Sequence, residues 1–313
     1  MLNELKSSGF AGRILQNEPL KNHTTMKVGG NAELFVLPEN EESLLLAVEC
    51  ARKNQKKFYI LGGGSNIVFK DTGFDGLIIC TENLNKIEKI EAIDENKLPI
   101  VNLICQAGKP TSEITDYCLQ NNIQGFECFS GLPGTVGGAC FMNARCYDDE
   151  LSNHIKSVTY LDLDEMKIKE YEFDKSDWAY KISPFQKGNN VILKVVLHGL
   201  KQLTNDSSEM LSAKAVAQRC YSNREEKGHF KYPSSGSVFK NNRSFGKPSG
   251  VLVDEAGLKG LSVGGAQVAP WHGNFIINNG AATADDIKEL VEKIQSIVKE
   301  KTGFMLEPEV IFL

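Results

Sequence analysis

The stretch GLPGTVGGACFMNA, Gly131 to Ala144, constrains this chain more than any other. It holds Gly131, Gly134, Gly137 and Gly138, too many for a helix that only packs, because each glycine costs roughly 1 kcal/mol against alanine. The natural use of such a run is close approach of backbone N–H groups to a flat or anionic ligand. A buried structural crossing is the alternative. A second run, LGGGSN, leaves one strand and enters another. Gly62, Gly63 and Gly64 there free the backbone to turn successive N–H groups into one concavity, which suits a pyrophosphate. It is not G-x-G-x-x-G and no helix follows closely, so a dinucleotide fold of the Rossmann kind does not apply. A plain hairpin turn is the competing reading. Two such loops in one chain, with HTTMKVGG upstream, favour a large bound nucleotide cofactor.

The flanking segments read as mixed α and β structure. AELFVLP is a strand closed by proline, and NEESLLLAVECARKNQ is an amphipathic helix with an acidic start and a basic end. With the strand KFYIL they make a small α/β unit. PIVNLICQAG, HIKSVTYLDL, KIKEYEFDK and NNVILKVVLHGL read as strands, the last three joined by acidic or Gly-Asn turns as in an antiparallel sheet. A helix covers TSEITDYCLQNN, and the chain passes from the strand ending at Leu200 to another helix near Asp206 without a large insertion. A capped helix from Thr283 to Lys301 and a strand in LEPEVIFL close the sequence. The expected division is 1–88, 89–203 and 204–313.

Composition narrows the partners. A net charge of −5 argues against a general nucleic-acid binder. The eight cysteines show no C-x-x-C spacing, so no metal site is expected, and several lie in apolar runs where a reduced thiol acts as a small hydrophobe. No apolar run approaches the roughly 20 residues of a membrane helix, and the first residues do not form a signal peptide. A cytoplasmic, monomeric protein acting on small molecules is expected.

The motifs NHTTMKVGG, LGGGSN, GLPGTVGGA with MNA, GSVFKN, AGLKG, GGAQV, HGNFIIN and LEPEV follow one another over nearly the whole chain. In this order they resemble the UDP-N-acetylenolpyruvoylglucosamine reductase family, in its shorter subtype. The resemblance implies an α+β fold: a two-part FAD-binding domain of the vanillyl-alcohol-oxidase (PCMH) type, followed by a smaller α/β substrate-binding domain. It also implies non-covalent FAD, NADPH as co-substrate, and reduction of an enolpyruvyl ether of a UDP-sugar to the lactyl ether, in cell-wall precursor synthesis. Cofactor contacts are expected at Gly62, Gly63, Gly64, Ser65, Asn66, Gly131, Pro133, Gly134, Thr135, Gly137, Gly138, Asn143 and Arg145. Lys240, Asn241, His272 and Arg224 are expected at the substrate.

Hydride addition to the vinyl carbon leaves an enolate beside a carboxylate, which needs a nearby cation and a proton donor. The resemblance makes Ser237, in YPSSGSVFKNN, that donor, and Glu309 the second acid, protonated or hydrogen-bonded. Spacing alone does not choose between Glu309 and Glu307. One departure stands out. Where the family carries Tyr-Arg this chain has AYKISPF, so Lys181 offers a point charge in place of a bidentate fork. Arg145, where many relatives have glycine, is a candidate second cation. Two other readings stay open: a flavin-binding relative impaired in catalysis, and an oxygen-using flavin oxidase of the same fold.

Overall fold

The helix expected after AELFVLP forms at Glu41–Lys53, where the Asn40 side chain accepts from the Ser43 N–H at 2.8 Å and caps the first turn. Leu44, Ala47, Val48 and Ala51 recur at helical spacing and are all buried. They lie against one face of a four-stranded sheet in the order Gly12–Pro19, Asn31–Pro38, Phe74–Cys80, Phe58–Leu61. The first pair is antiparallel and the others parallel. The outermost strand, Gly12–Pro19, has no clean alternation of buried and exposed residues and was not expected. The computed structural model describes residues 1–94, 96–205 and 207–313. Asp206, near which a helix start was expected, lies outside them, and the helix runs over Ser208–Glu226.

A larger antiparallel sheet follows, with Lys167–Glu172, Ile155–Asp162, Asn190–Gln202, Pro99–Gln106 and Ile87–Ile93 in that order. Its core gathers Leu103, Cys105, Ile114, Phe126, Phe129 and Val195, so the helix Thr111–Gln120 covers one face. Leu161, Leu163, Val191 and Leu193 join the core of the first sheet, which fastens the two sheets side by side. The glycine-rich stretch contains a short helix, Val136–Phe141, which the glycine count argued against. Thr135 caps it, and Gly137 is a glycine where Ala107, just past the strand end, passes too close for a side chain.

The remainder forms a small sheet, Ser234–Ser237, Phe275–Asn278, Ala266–Val268 and Ser262–Val263, backed by the helix Ala284–Thr302. That helix carries a complete capping box of Thr283 and Asp286 and buries Ile287, Leu290, Val291, Ile294 and Val298. The segment LEPEVIFL is less regular than expected. Only Ile311–Phe312 is strand, and it pairs in parallel with Ile67–Val68, beside the first glycine loop. Met26, Val28 and Val68 enter the core of this third part, so the chain's beginning and end are packed together.

Candidate functional site

The two glycine loops lie against each other. A Cβ on Gly63 would stand 2.7 Å from the Gly134 Cα, one on Gly62 2.6 Å from the Thr135 Oγ, and one on Gly134 2.6 Å from the Ser65 Oγ. Gly64 turns at φ +61, where a side chain would also collide with the His23 carbonyl. The N–H groups of Gly62, Gly63, Gly64, Ser65, Gly134 and Thr135 find no protein acceptor among the described residues. All six residues line one large cleft. Unpaired backbone donors converging in a concavity are the chemistry that takes an anionic ligand. The cleft measures about 1940 Å³, well above the roughly 300–1,000 Å³ of a pocket for one small molecule. A dinucleotide flavin and a second ligand fit the space and the donor set. Pro133 and Gly138 also line it, and a Cβ on Gly138 would meet only the Thr135 Oγ, at 3.6 Å.

Four expected cofactor contacts are engaged or packed within the protein, although Gly137 and Asn66 also line the cleft. The Gly137 N–H donates to the Ala107 carbonyl at 2.9 Å, and a Cβ there would lie 2.8 Å from the Ala107 Cβ, so this glycine serves packing. Gly131, at φ +69, sits beneath Tyr221, Arg224 and Phe230, away from the cleft lining. Asn143 is fully buried: its Nδ2 donates to the Ala179 carbonyl at 2.9 Å and its Oδ1 accepts from the Ser152 N–H at 3.1 Å. The Asn66 side chain donates to the Glu309 carbonyl at 3.1 Å. Arg145 does line the cleft, its Nε donating to the Tyr147 carbonyl at 3.3 Å.

Three distant parts of the chain bring Ser237, Lys181 and Glu309 to the same cleft. Ser237 ends its strand opposite Phe275 after a register shift, with Gly236 at φ +70 supplying the irregular turn, and it is exposed. The next residue, Val238, accepts from the Glu309 N–H at 2.7 Å. The Glu309 carboxylate meets the Lys181 ammonium at 2.7 Å, and their side chains are only 12% and 13% exposed. Lys181 stands at φ +59 in a turn closed by mutual Ala179–Ile182 hydrogen bonds and braced by Gln186 and Asn143. Glu307, by contrast, is 69% exposed and pairs with Lys240 at 2.6 Å. Of the two glutamates, Glu309 faces the buried cation.

The expected substrate residues also line the cleft, with most of their polar groups engaged. Asn241 accepts from the Ser249 N–H at 2.9 Å and its own N–H donates to the Tyr180 hydroxyl at 3.3 Å. Arg224 is 7% exposed; its guanidinium donates to the Ser130 carbonyl at 3.0 Å and to the Cys146 Sγ at 3.1 Å, bracing the wall. The His272 Nδ1 accepts from the Asn274 N–H at 3.1 Å. His272 and His229 both pack on the Phe275 ring. Burial depresses both imidazoles, with nearby cations adding to it, and His229 is pushed down to about 4. His229 and Lys227 line the cleft without belonging to any motif that marks them in the sequence, and Tyr180 lines it beside Lys181.

All eight cysteines are free, and burial raises the thiols of Cys80 and Cys105 to about 12, so they remain protonated packing groups. Among the described residues no three metal-ligating side chains gather, and no helix is long and apolar enough to cross a membrane.

Comparison with known proteins bears on the same residues. The profile of the UDP-N-acetylenolpyruvoylglucosamine reductase C-terminal domain matches residues 228–313, and that of an FAD binding domain matches residues 32–169. The UDP-N-acetylenolpyruvoylglucosamine reductase of Treponema denticola is 50% identical over 309 residues, covering 96% of this chain and 94% of that one. The enzyme of the same name from Borreliella burgdorferi is 43% identical over 299 residues, 95% of this chain and 94% of its own. The crystal structure of UDP-N-acetylenolpyruvylglucosamine reductase from Thermus caldophilus superposes with a TM-score of 0.74 at 27% identity, covering 97% of this chain and 99% of that one.

Proposed function

The chain belongs to the UDP-N-acetylenolpyruvoylglucosamine reductase family, and from that premise we propose how its own residues carry the reaction. It is an FAD-dependent oxidoreductase with NADPH as reductant, built as a two-part flavin-binding domain of the vanillyl-alcohol-oxidase type and a smaller α/β domain. Its reaction is reduction of the enolpyruvyl ether of UDP-N-acetylglucosamine to UDP-N-acetylmuramate. The impaired-relative and oxygen-using readings gain no support from 50% identity to a reductase over nearly the full length. The proposed division is 1–88 and 89–203 for the two flavin-binding parts and 204–313 for substrate.

One observation carries the assignment of roles: a glycine cradle and a Ser–Lys–Glu corner share one cleft large enough for two ligands. The unpaired N–H groups of Gly62 to Ser65, with Gly134 and Thr135, would hold the pyrophosphate of the cofactor. Bound FAD supplies two-electron transfer between NADPH and the vinyl CH2 carbon. The exposed Ser237 hydroxyl gives its proton to the neighbouring carbon, and the Lys181 ammonium holds the negative charge that develops on the substrate carboxylate. Glu309 orients Lys181 through their contact at 2.7 Å. Lys240 and Asn241 line the approach of the nucleotide sugar. The eight free thiols suit a reducing, cytoplasmic setting. A monomer is the oligomeric state we assign, to be checked by light scattering.

The test separates the two half-reactions. Ser237→Ala slows reoxidation of reduced flavin by the enolpyruvyl nucleotide about 10²–10⁴-fold, the usual worth of a general acid, and slows reduction by NADPH far less. Equal losses in both halves would assign Ser237 to flavin positioning. A wild-type enzyme whose reduced flavin ignores the enolpyruvyl nucleotide would remove the functional reading itself.

A further inference from the structure

We propose that Asn66 is a positioning residue for Glu309, linking the glycine cradle to the acid–base corner; this rests on the reaction assigned above. Its motif, GGGSN, marks it as part of the cofactor loop and it lines the cleft, yet its side-chain nitrogen is bonded to the backbone of Glu309. Its Nδ2 donates to the Glu309 carbonyl at 3.1 Å, and its own carbonyl accepts from the Ile311 N–H at 3.0 Å. The two bonds bracket residues 309–311. A carbonyl only accepts, so the amide nitrogen of Asn66 is the end that faces Glu309.

Both backbone polar groups of Glu309 are thereby fixed. Its N–H is held by Val238, the neighbour of Ser237, and its C=O by Asn66, the last residue of the glycine loop. Only side-chain torsions remain to Glu309, and its contact with Lys181 at 2.7 Å restricts those. Pairing of Ile67–Val68 with Ile311–Phe312 continues the attachment on one side. The Lys70 N–H, donating to the Leu313 carbonyl at 2.8 Å, extends it further. Lys181 itself is set by a separate part of the chain, so an error of an ångström in the Glu309 backbone alters the Lys181–Glu309 contact and not the Lys181 turn. A hydrogen bond made to a backbone atom of a reacting group acts on geometry, and geometry is costly in rate when misplaced. Asn66 is the one side chain in this bracket, and so the point where a substitution can loosen it.

The experiment uses the purified holoenzyme and three variants. Asn66→Asp keeps size and backbone but offers an acceptor to a carbonyl; Asn66→Ser shortens the reach; Asn66→Gln retains an amide donor. Stopped-flow absorbance measures both half-reactions. We expect Asn66→Asp and Asn66→Ser to slow flavin reoxidation at saturating enolpyruvyl nucleotide about tenfold, with less than twofold change in flavin reduction and in half-saturation. Asn66→Gln should recover part of the loss. In a Glu309→Gln background, Asn66→Asp should add less than twofold, because the group it positions is gone. Hydrogen exchange gives a reading independent of turnover, and Asn66→Asp should raise it at residues 309–312 while FAD affinity stays within twofold. Loss of FAD with equal slowing of both half-reactions overturns the proposal and makes Asn66 a cofactor ligand. Full additivity with Glu309→Gln overturns it as well. If the wild-type reduced flavin is not reoxidised by the enolpyruvyl nucleotide, the reaction assignment fails first. The exchange result then decides on its own whether Asn66 holds residues 309–312.

Discussion

The glycine cradle and the acid–base corner line one cleft and are made of different material. The cradle is backbone: Gly62 to Ser65 against Gly134 and Thr135, with N–H groups as its working atoms. The corner is side chains, Ser237, Lys181 and Glu309, delivered by three separate stretches. A backbone site is specified by what is missing, so any added carbon is an error there and the identity of the carbon hardly matters. A side-chain site is specified by charge and hydroxyl placement, so isosteric changes can disable it while leaving the fold alone. Substitutions in the first region should therefore act on cofactor retention, and those in the second on the rate of one half-reaction.

The largest effect expected tests the cradle. Gly64→Val places a branched side chain at φ +61 and against the His23 carbonyl, and the purified variant should be colourless. Gly138→Ala is the matched control. Its new Cβ meets only the Thr135 Oγ at 3.6 Å, so thermal melting should stay within a few degrees while FAD affinity falls by up to about tenfold. A fully yellow Gly64→Val enzyme would erase the distinction drawn between the regions.

A smaller effect sharpens the corner. Lys181→Ala should slow flavin reoxidation about 10²-fold, on the scale of losing one electrostatic stabiliser, and Arg145→Ala less. If the two cations act on one developing charge, the double variant departs from additivity by roughly 0.5–3 kcal/mol in activation free energy. Arg145 lines the same cleft with its Nε held by Tyr147, so simple additivity would remove it from the mechanism and leave Lys181 alone. Lys181→Arg should retain most of the rate.

The smallest effect is on stability. His229 has its imidazole pushed from an ordinary value near 6.5 down to about 4 by burial, and His272 is lowered in the same direction. The folded state then binds fewer protons than the unfolded state between those values. Stability from this source is complete above about pH 6.5 and declines as pH falls toward 4. Melting temperatures of wild type and His229→Phe across that window check it: the variant should show the shallower fall.

The same contrast explains what could be read from the sequence. The helix at Glu41–Lys53 announced itself through its amphipathic pattern, acidic start and basic end, and that at Ala284–Thr302 through its cap at Thr283. Strands as short as Ser262–Val263 carry no period to detect. Glycine density pointed to the cradle because backbone exposure is a local property. It did not distinguish Gly137, crowded by Ala107, or Gly131, beneath Tyr221 and Arg224, from the glycines with unpaired N–H groups lining the cleft. Glu309 and Glu307 could not be told apart by spacing, since they would share a face in a regular strand. Regular pairing starts only at Ile311, and their cations, Lys181 and Lys240, lie on different parts of the chain. Asn66 was read with its loop because nothing near it in sequence points to its partner.

The bond between Asn66 and Glu309 joins residues 243 positions apart. During synthesis at about 5–20 residues per second, roughly 10–50 s separate the two. For that interval the glycine loop has been made but its anchor has not, and the parallel pairing of Ile67–Val68 waits for Ile311–Phe312. Such pairing across most of a chain is slow to form even after both partners exist. Assembly of the acid–base corner is therefore a late event in the life of each molecule. A ribosome that stalls after the flavin-binding strands are complete releases a product with its glycine loops and no Glu309 to set against Lys181.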